Sequence, residues 1–341
     1  MKTHVMIDWL QLNCRGVISP DKLDLLIREP YSTRIFENVY KYERAGKILY
    51  TIAFKPLSPI LPADTVIIKI GNEFLYRPDL WVNVNSLIEW LGILVKGITR
   101  LDLAVDFQYF LNNLLPSNLI SNFVNNKYLK NGLAQFKIIG TQKETMNFEY
   151  LRFGSGESDL SVYMYNKSKE LKDVKNKPWI VEVWQKTFID NTLDTWRLEF
   201  SLKSNQIHEL NKETGELERL TYQSIQNQQY LEQLYTSLVY KYFRFKHNNN
   251  TKNKTEMKDV QLFKFECVPN AIRVITDKHE SGRSERIFLR KLESFNNEMR
   301  AIKNERLNSD SESYGIGKVV LNDVINLYGL GDYYKNSVVH G

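Results

Sequence analysis

The stretch Leu160–Glu170, LSVYMYNKSKE, holds residue types that could carry phosphoryl chemistry. Read as a strand, it places Ser161, Tyr163, Tyr165 and Lys167 on one face and Val162 and Met164 on the other. Two phenols and an ammonium then stand side by side. A phenol, with a pKa near ~10, is a poor nucleophile at neutral pH. A neighbouring cation or a metal-polarised target makes it useful. Lys167 is placed to lower the Tyr165 pKa or to stabilise charge on a phosphorane. An isolated YxY is more often plain strand packing, so the surroundings decide.

Two other stretches share this character. Ile98–Phe107, ITRLDLAVDF, puts Leu101, Leu103, Val105 and Phe107 on one side and Arg100, Asp102, Ala104 and Asp106 on the other. Trp196–Lys203, WRLEFSLK, separates Trp196, Leu198, Phe200 and Leu202 from Arg197, Glu199, Ser201 and Lys203. If the three strands lie in one sheet over a shared core, the opposite face collects Asp102, Asp106, Glu199 and a tyrosine. Carboxylates with a phenol suggest hard-metal chemistry on a phosphate. Asp102 and Asp106 share this face with Ala104 between them, and read either as an ordinary wet sheet face or as acids that a bound cation would draw together. Asp8, in the strand-like His4–Cys14, is a further carboxylate or a solvated strand-end residue. Arg100 and Arg197 read as phosphate or carboxylate contacts, or as solvated strand-edge charges.

The elements that must position these residues follow from periodicity. Ser19-Pro20 starts a short helix carrying Leu23, Leu26 and Ile27. Arg34–Glu43 and Lys47–Phe54 flank Ala45-Gly46 as a hairpin, and Thr65–Ile70 is a third strand. Asn85–Lys96 reads as a helix capped by Asn85 or Ser86, feeding straight into the Asp102 strand. Pro116–Leu129 reads as a second helix with Leu119, Ile120, Phe123 and Val124 inward. Gln135–Ile139 and Asn147–Phe153 are strands, the second turning through Gly154–Ser158 into the tyrosine strand. Segment 166–195 is a polar excursion containing Trp179–Trp184. The expected fold class is α+β, a mainly antiparallel sheet with helices packed on one face.

Beyond Asn205 the pattern changes. Gln223–Phe245 is helical, and Lys246–Lys258, KHNNNTKNKTEMK, reads as a flexible basic loop. A strand-like piece (Val260–Val268), a charged helix (Ser284–Leu307) and a short helix (Lys318–Tyr328) complete the chain. The expected organisation is a chemistry-bearing region over 1–205 and a mostly helical C-terminal region over 206–341, open to partner binding.

Composition sets outer bounds. A chain of 341 residues buries a large core. The net charge of +6 suits a polyanionic partner, above all nucleic acid. Two cysteines, Cys14 and Cys267, make neither a metal knuckle nor a disulfide framework. Five scattered histidines, with no HxH and no HExxH, exclude the usual zinc motifs and the His-pair nickase motif. With no apolar leader and no membrane-length run, the expected location is the cytoplasm.

The ordered set TRLDLAVDF at 99–107, a glycine turn followed by VYMYNK at 154–167, and WRLEFSLK at 196–203 resembles the replication initiation factor family. These are rolling-circle initiators and relaxases of the plasmid Rep_trans type. IDWLQL at 7–12 is similar to the family's first strand, and the resemblance spans roughly residues 5–205. It implies a metal-dependent DNA nicking and closing enzyme acting on single-stranded or extruded origin DNA. A tyrosine becomes joined to a 5′-phosphate and leaves a 3′-OH. By position before Asn-Lys, Tyr165 matches the nucleophile. Asp102, Asp106 and Glu199 match acidic positions that would hold Mg²⁺ or Mn²⁺. Met164 and the extra phenol Tyr163 depart from the family pattern, which leaves Tyr163 as an alternative or second nucleophile. Arg100, Arg197, Lys203 and Lys169 are the candidate DNA contacts. The resemblance further implies a plasmid, phage or integrative element in a bacterial cell. Duplex origin DNA, a host helicase and polymerase, and a homodimer are the implied partners. A relaxase for conjugative mobilisation and a non-catalytic DNA-binding relative are the competing readings.

Overall fold

The computed structural model describes residues 4–266, apart from 30–32, 34, 45–46, 59–60, 131–134, 143–145, 156–157, 174–176, 188, 191, 204–207, 211–216 and 252. The chain divides into two compact units, Met1–Thr276 and Asp277–Gly341, and the described residues belong to the first. Cys267 and the helices expected over 284–307 and 318–328 lie outside them, as does the Ala45-Gly46 hairpin tip.

In chain order the strands up to residue 203 are β1 (Met6–Arg15), β2 (Ile27–Arg28), β3 (Phe36–Arg44), β4 (Lys47–Pro56), β5 (Thr65–Ile70), β6 (Leu94–Phe107), β7 (Tyr128–Lys130), β8 (Phe136–Gln142), β9 (Met146–Phe153), β10 (Leu160–Asn166) and β11 (Trp196–Lys203). Ten of them, all but β7, form one antiparallel sheet in the order β2-β3-β4-β5-β1-β6-β11-β10-β9-β8. The helices are α1 (Pro20–Leu23), α2 (Asn72–Leu75), α3 (Leu80–Leu91), α4 (Pro116–Val124), α5 (Lys167–Asp173), α6 (Pro178–Lys186) and α7 (Gln228–Tyr242). The fold is the α+β arrangement expected from periodicity.

One sheet face is hydrocarbon. Leu101, Leu103 and Val105 of β6, Leu198, Phe200 and Leu202 of β11, and Val162 and Met164 of β10 are all buried there. They share a core with Val84, Leu87 and Leu91 of α3, Leu119 and Ile120 of α4, and Leu231, Leu234 and Leu238 of α7. Fully burying one such leucine contributes about 1.5–3 kcal/mol, so these helices fix which face stays polar. Tyr235 of α7 adds direction: its ring meets Phe200 edge-on at 5.3 Å, and its hydroxyl donates to the Leu198 carbonyl at 2.9 Å. Helix α7, read from sequence as part of a separate C-terminal region, therefore lies in the same unit as the sheet.

Several boundaries differ from expectation. Helix α3 begins at Leu80 and ends at Leu91, because Gly92 takes the left-handed conformation (φ 70°) that stops a helix. Strand β6 then starts at Leu94 and runs 14 residues. Helix α4 stops at Val124, with Asn126 at φ 56°, and Tyr128–Lys130 pairs with the short strand β12 (Phe245–His247). Val124 is exposed, not inward. The basic stretch 246–258 is tied to the body rather than loose at its start. Lys246 is buried and donates to the Met257 carbonyl at 2.9 Å. Asn248 donates to the Asn126 carbonyl at 2.8 Å. The anchor is Phe245, fully buried between Phe123, Phe153 and Phe243. Residues 260–266 form no strand.

Candidate active site

The three chemistry-bearing strands are direct neighbours: β6 pairs with β11, and β11 with β10. Register stacks their polar-face residues into rows. Tyr165 lies opposite Arg197, which lies opposite Asp106. One row along, Tyr163 lies opposite Glu199, which faces Ala104; the next row joins Ser161, Ser201 and Asp102. The turn before β10 needs its glycine, since Gly154 has φ 84° and a Cβ would meet the Leu160 carbonyl oxygen at 2.9 Å.

Tyr165 and Glu199 are diagonal neighbours, and the phenol donates to Glu199 Oε2 at 3.0 Å. Lys167, the first residue of α5, folds back so that Nζ lies 3.5 Å from the Tyr165 oxygen and 5.3 Å from its ring. Its ammonium also pairs with Glu170. Burial pushes the Tyr165 phenol well above its ordinary value, and the nearby Glu199 carboxylate adds to this. Burial, with the Asp8 and Asp102 carboxylates, raises Glu199 to about 8. Burial and the like-charged Arg197 lower Lys167. The site therefore rests with a neutral phenol hydrogen-bonded to a carboxyl group poised near neutrality.

Arg197, expected as a DNA contact, is fully buried. It donates from Nε to Asp106 Oδ1 at 2.6 Å, from NH2 to Asp106 Oδ2 at 2.7 Å, and from NH1 to Asp8 Oδ1 at 2.7 Å. Its burial alone would lower its pKa, but Asp106 and its other partners hold it well above the ordinary value. Asp8 reaches this site from a bulge in β1, where the register with β6 slips between Ile7 and Trp9. Burial pushes Asp8 up, but Arg197, Lys167 and the Tyr76 hydroxyl outweigh it and hold the carboxyl far below the usual range.

A lid of short elements closes this end. Tyr76, just after α2, donates to Asp8 Oδ1 at 2.5 Å, and Asn72 donates to the Asp8 carbonyl at 2.9 Å. Trp184 of α6 donates from Nε1 to Asp106 Oδ2 at 2.7 Å, and Trp179 reaches Asn72 at 3.3 Å. Sequence reasoning missed Tyr76, Asn72 and Trp184 as site residues. Only the Ile180/Trp184 spacing in α6, an i,i+4 apolar pair, marks a helix that packs onto something.

The remaining candidates sit apart. Asp102 is buried and held by Arg100, from Nε at 3.0 Å and NH2 at 2.6 Å. Burial raises Asp102 despite this guanidinium. Tyr163 is half-buried, 6.4 Å ring to ring from Tyr150, and faces Glu199 in register. Lys169 donates to Glu149 at 2.6 Å, and Lys203 is half-buried. Cys14 is buried, which pushes its thiol up to about 12 and leaves it a packing residue.

The acids expected to hold Mg²⁺ or Mn²⁺ are Asp102, Asp106 and Glu199. Among the described residues no group of three or more His, Cys, Asp or Glu side chains is gathered as a metal site. Asp106 gives both oxygens to Arg197 and Asp102 both to Arg100. In this arrangement the donor set does not fit a divalent cation.

No family model matches the chain, and no curated protein matches it. Among solved structures it is similar to a rolling-circle replication initiator protein from Geobacillus stearothermophilus, with a TM-score of 0.45 and 14% sequence identity over 76% of this chain and 93% of that one. Among the described residues no helix is long and apolar enough to cross a membrane.

Proposed function

We propose that this chain is a rolling-circle DNA replication initiator that cuts and rejoins single-stranded or extruded origin DNA through Tyr165. The observation that carries the reading is the Tyr165 phenol, bonded to Glu199 at 3.0 Å with the Lys167 ammonium 3.5 Å away. Nucleophile, base and cation are thereby within reach of one phosphate.

In the proposed step, the Tyr165 oxygen attacks phosphorus and its proton passes to the ionised Glu199 carboxylate. The bond from phosphorus to the 3′-oxygen breaks. That oxygen leaves as the free 3′-OH, taking its proton from solvent. Lys167 offsets the charge that develops on the phenol and phosphorane oxygens. The phosphotyrosine ester conserves the bond energy, so attack by a 3′-OH reverses the step. Arg197 acts on the reaction through Asp106 and Asp8 rather than by touching DNA: it is a positioning residue. The same chemistry would serve a relaxase for conjugative mobilisation.

The test is incubation with end-labelled single-stranded origin DNA, with Mn²⁺ and separately with EDTA, followed by denaturing gels and peptide mapping. A covalent adduct mapped to Tyr165 and lost in Tyr165→Phe is the expected result. An adduct that persists in Tyr165→Phe and disappears in Tyr163→Phe moves the nucleophile to the neighbouring phenol. Tight binding with no adduct under either condition makes the chain a non-catalytic DNA-binding protein. Adduct formation with Mn²⁺ and none with EDTA would require the acids to rearrange around an ion.

A further inference from the structure

Tyr165 has a diagonal neighbour on each adjoining strand of the polar face. On β11 it is Glu199, which takes its hydrogen bond, and on β9 it is Arg152. Register fixes this: Tyr163 lies opposite both Glu199 and Arg152, and Tyr165 lies opposite Tyr150. Diagonal pairs in a sheet stand ~7–8 Å apart, within reach of a side chain as long as arginine. Arg152 and Tyr150 are half-buried, and their partners on the edge strand β8, Lys137 and Ile139, are exposed. This flank of the nucleophile faces solvent, whereas α2 and α6 close the other.

Arg152 differs from the other two arginines of this face in what it holds. Arg197 is committed to Asp106 and Asp8, and Arg100 to Asp102. Among the described residues no carboxylate pairs with Arg152, and its Nε is buried without an acceptor. Its charge acts on the Tyr150 phenol, which the charges of Tyr163 and Glu199 also reach. These groups therefore gather beside Tyr165. A guanidinium offers five N–H donors in a fixed fork and takes two oxygens of one phosphate at once. Lys167, 3.5 Å from the Tyr165 oxygen, is buried and paired with Glu170. A phosphate over Tyr165 also meets the Glu199 carboxylate, and a cation on the open flank offsets that repulsion. Arg152 is so placed.

We propose that Arg152 is a catalytic residue whose guanidinium grips the non-bridging oxygens of the phosphate that Tyr165 attacks, with Tyr150 as the residue that positions it. This assignment rests on the nicking reading above and adds the group that receives the scissile phosphate. No bond to Arg152 forms or breaks, and the guanidinium keeps its protons throughout. A fork aimed at the oxygens of the phosphorane favours the transition state over bound DNA. Glu199 and Arg152 thus divide the work on either side of Tyr165: one takes the proton, the other holds the phosphate.

The experiment uses the full-length protein and two origin strands, one native and one with a methylphosphonate at the mapped cut, which exchanges a charged oxygen for methyl. On the native strand, Arg152→Gln should slow single-turnover adduct formation by roughly 10²–10³-fold. On the methylphosphonate strand the same substitution should change the rate by less than about threefold, because the oxygen it grips is gone. Arg152→Lys should recover only part of the native rate, since an ammonium lacks the fork. Tyr150→Phe should slow the native strand severalfold and leave the methylphosphonate strand alone. Lys137→Gln, one strand further out and exposed, should stay within about twofold of the parent. Should Arg152→Gln melt early, Arg152→Lys carries the same comparison between strands. An equal loss on both strands overturns the proposal, and so does a Lys137→Gln effect as large as that of Arg152→Gln. An adduct at the parental rate in Arg152→Gln sinks the Arg152 assignment alone. No adduct from the parent sinks the nicking reading, and the phosphate grip is then judged by oligonucleotide binding. A slope of log K against log salt lower by about 0.7 in Arg152→Gln keeps it, and an unchanged slope removes it.

Discussion

Strands β6 and β11 carry two arginine–aspartate pairs on one polar face, and the pairs have opposite fates. At one end Arg197 and Asp106 are sealed beneath Trp184 and joined to Asp8 and Tyr76. At the other, Asp102 is buried but Arg100 remains a third exposed, lying against Trp9. The residue types are the same, and so is the alternation that places them. What differs is the covering: α2 and α6 close the first end, and side chains alone dress the second. A charge pair placed under a lid orients its neighbours, whereas one left half-open is available to a ligand.

Four outcomes would sharpen or break this contrast, taken from the largest expected effect. Tyr165→Phe should abolish the covalent adduct on denaturing gels while leaving oligonucleotide binding within about twofold, because phosphate contacts dominate affinity. Next, Arg197→Met should destabilise the fold by about 3–5 kcal/mol in urea melts, since it strands the buried Asp106 carboxylate and takes the guanidinium from half-buried Asp8. A loss under about 1 kcal/mol would show the sealed end to be no more structural than the open one.

The third concerns Glu199, raised to about 8. As a base it must be ionised, so the adduct rate should climb with pH through about 8, and Glu199→Gln should be slow and lack that rise. Linkage has a definite sign here. The folded chain holds this proton more tightly than the unfolded chain, so folding stability falls as pH rises from about 4.5 to about 8. Glu199→Gln should remove that loss, making the variant relatively more stable at high pH by thermal melting. The smallest effect is on stability at the open end. Arg100→Gln should cost about 1–3 kcal/mol in thermal or urea melts, because it leaves the buried Asp102 carboxylate without its guanidinium.

Much of the face was legible beforehand, because TRLDLAVDF and WRLEFSLK alternate without a break and a sheet must bury the side that is all hydrocarbon. That logic put Asp102, Asp106, Glu199 and Tyr165 on one surface. It could not tell which end of the surface would be covered. The cover arises from Trp184 and Tyr76, which lie outside those strands, and from a bulge that turns Asp8 inward against simple alternation. Lys167 was placed on the right face for an incomplete reason: the strand ends at Asn166, and the lysine returns from the first turn of α5. The start of α3 was misread because Asn85 and Ser86 look like caps, although the helix is already under way at Leu80. Tyr163 beside Tyr165 could not be ranked by type, and the hydrogen bond to Glu199 distinguishes them.

The contact between Asp8 and Arg197 joins residues 189 positions apart. Closing so long a loop is slow, and it must await the synthesis of β11. A ribosome-bound or truncated product ending before about residue 197 therefore has its tyrosine but lacks both the clamp and the base beside it. On the proposed function, cutting competence therefore waits until β11 has been made and paired, just past the middle of the 341-residue chain.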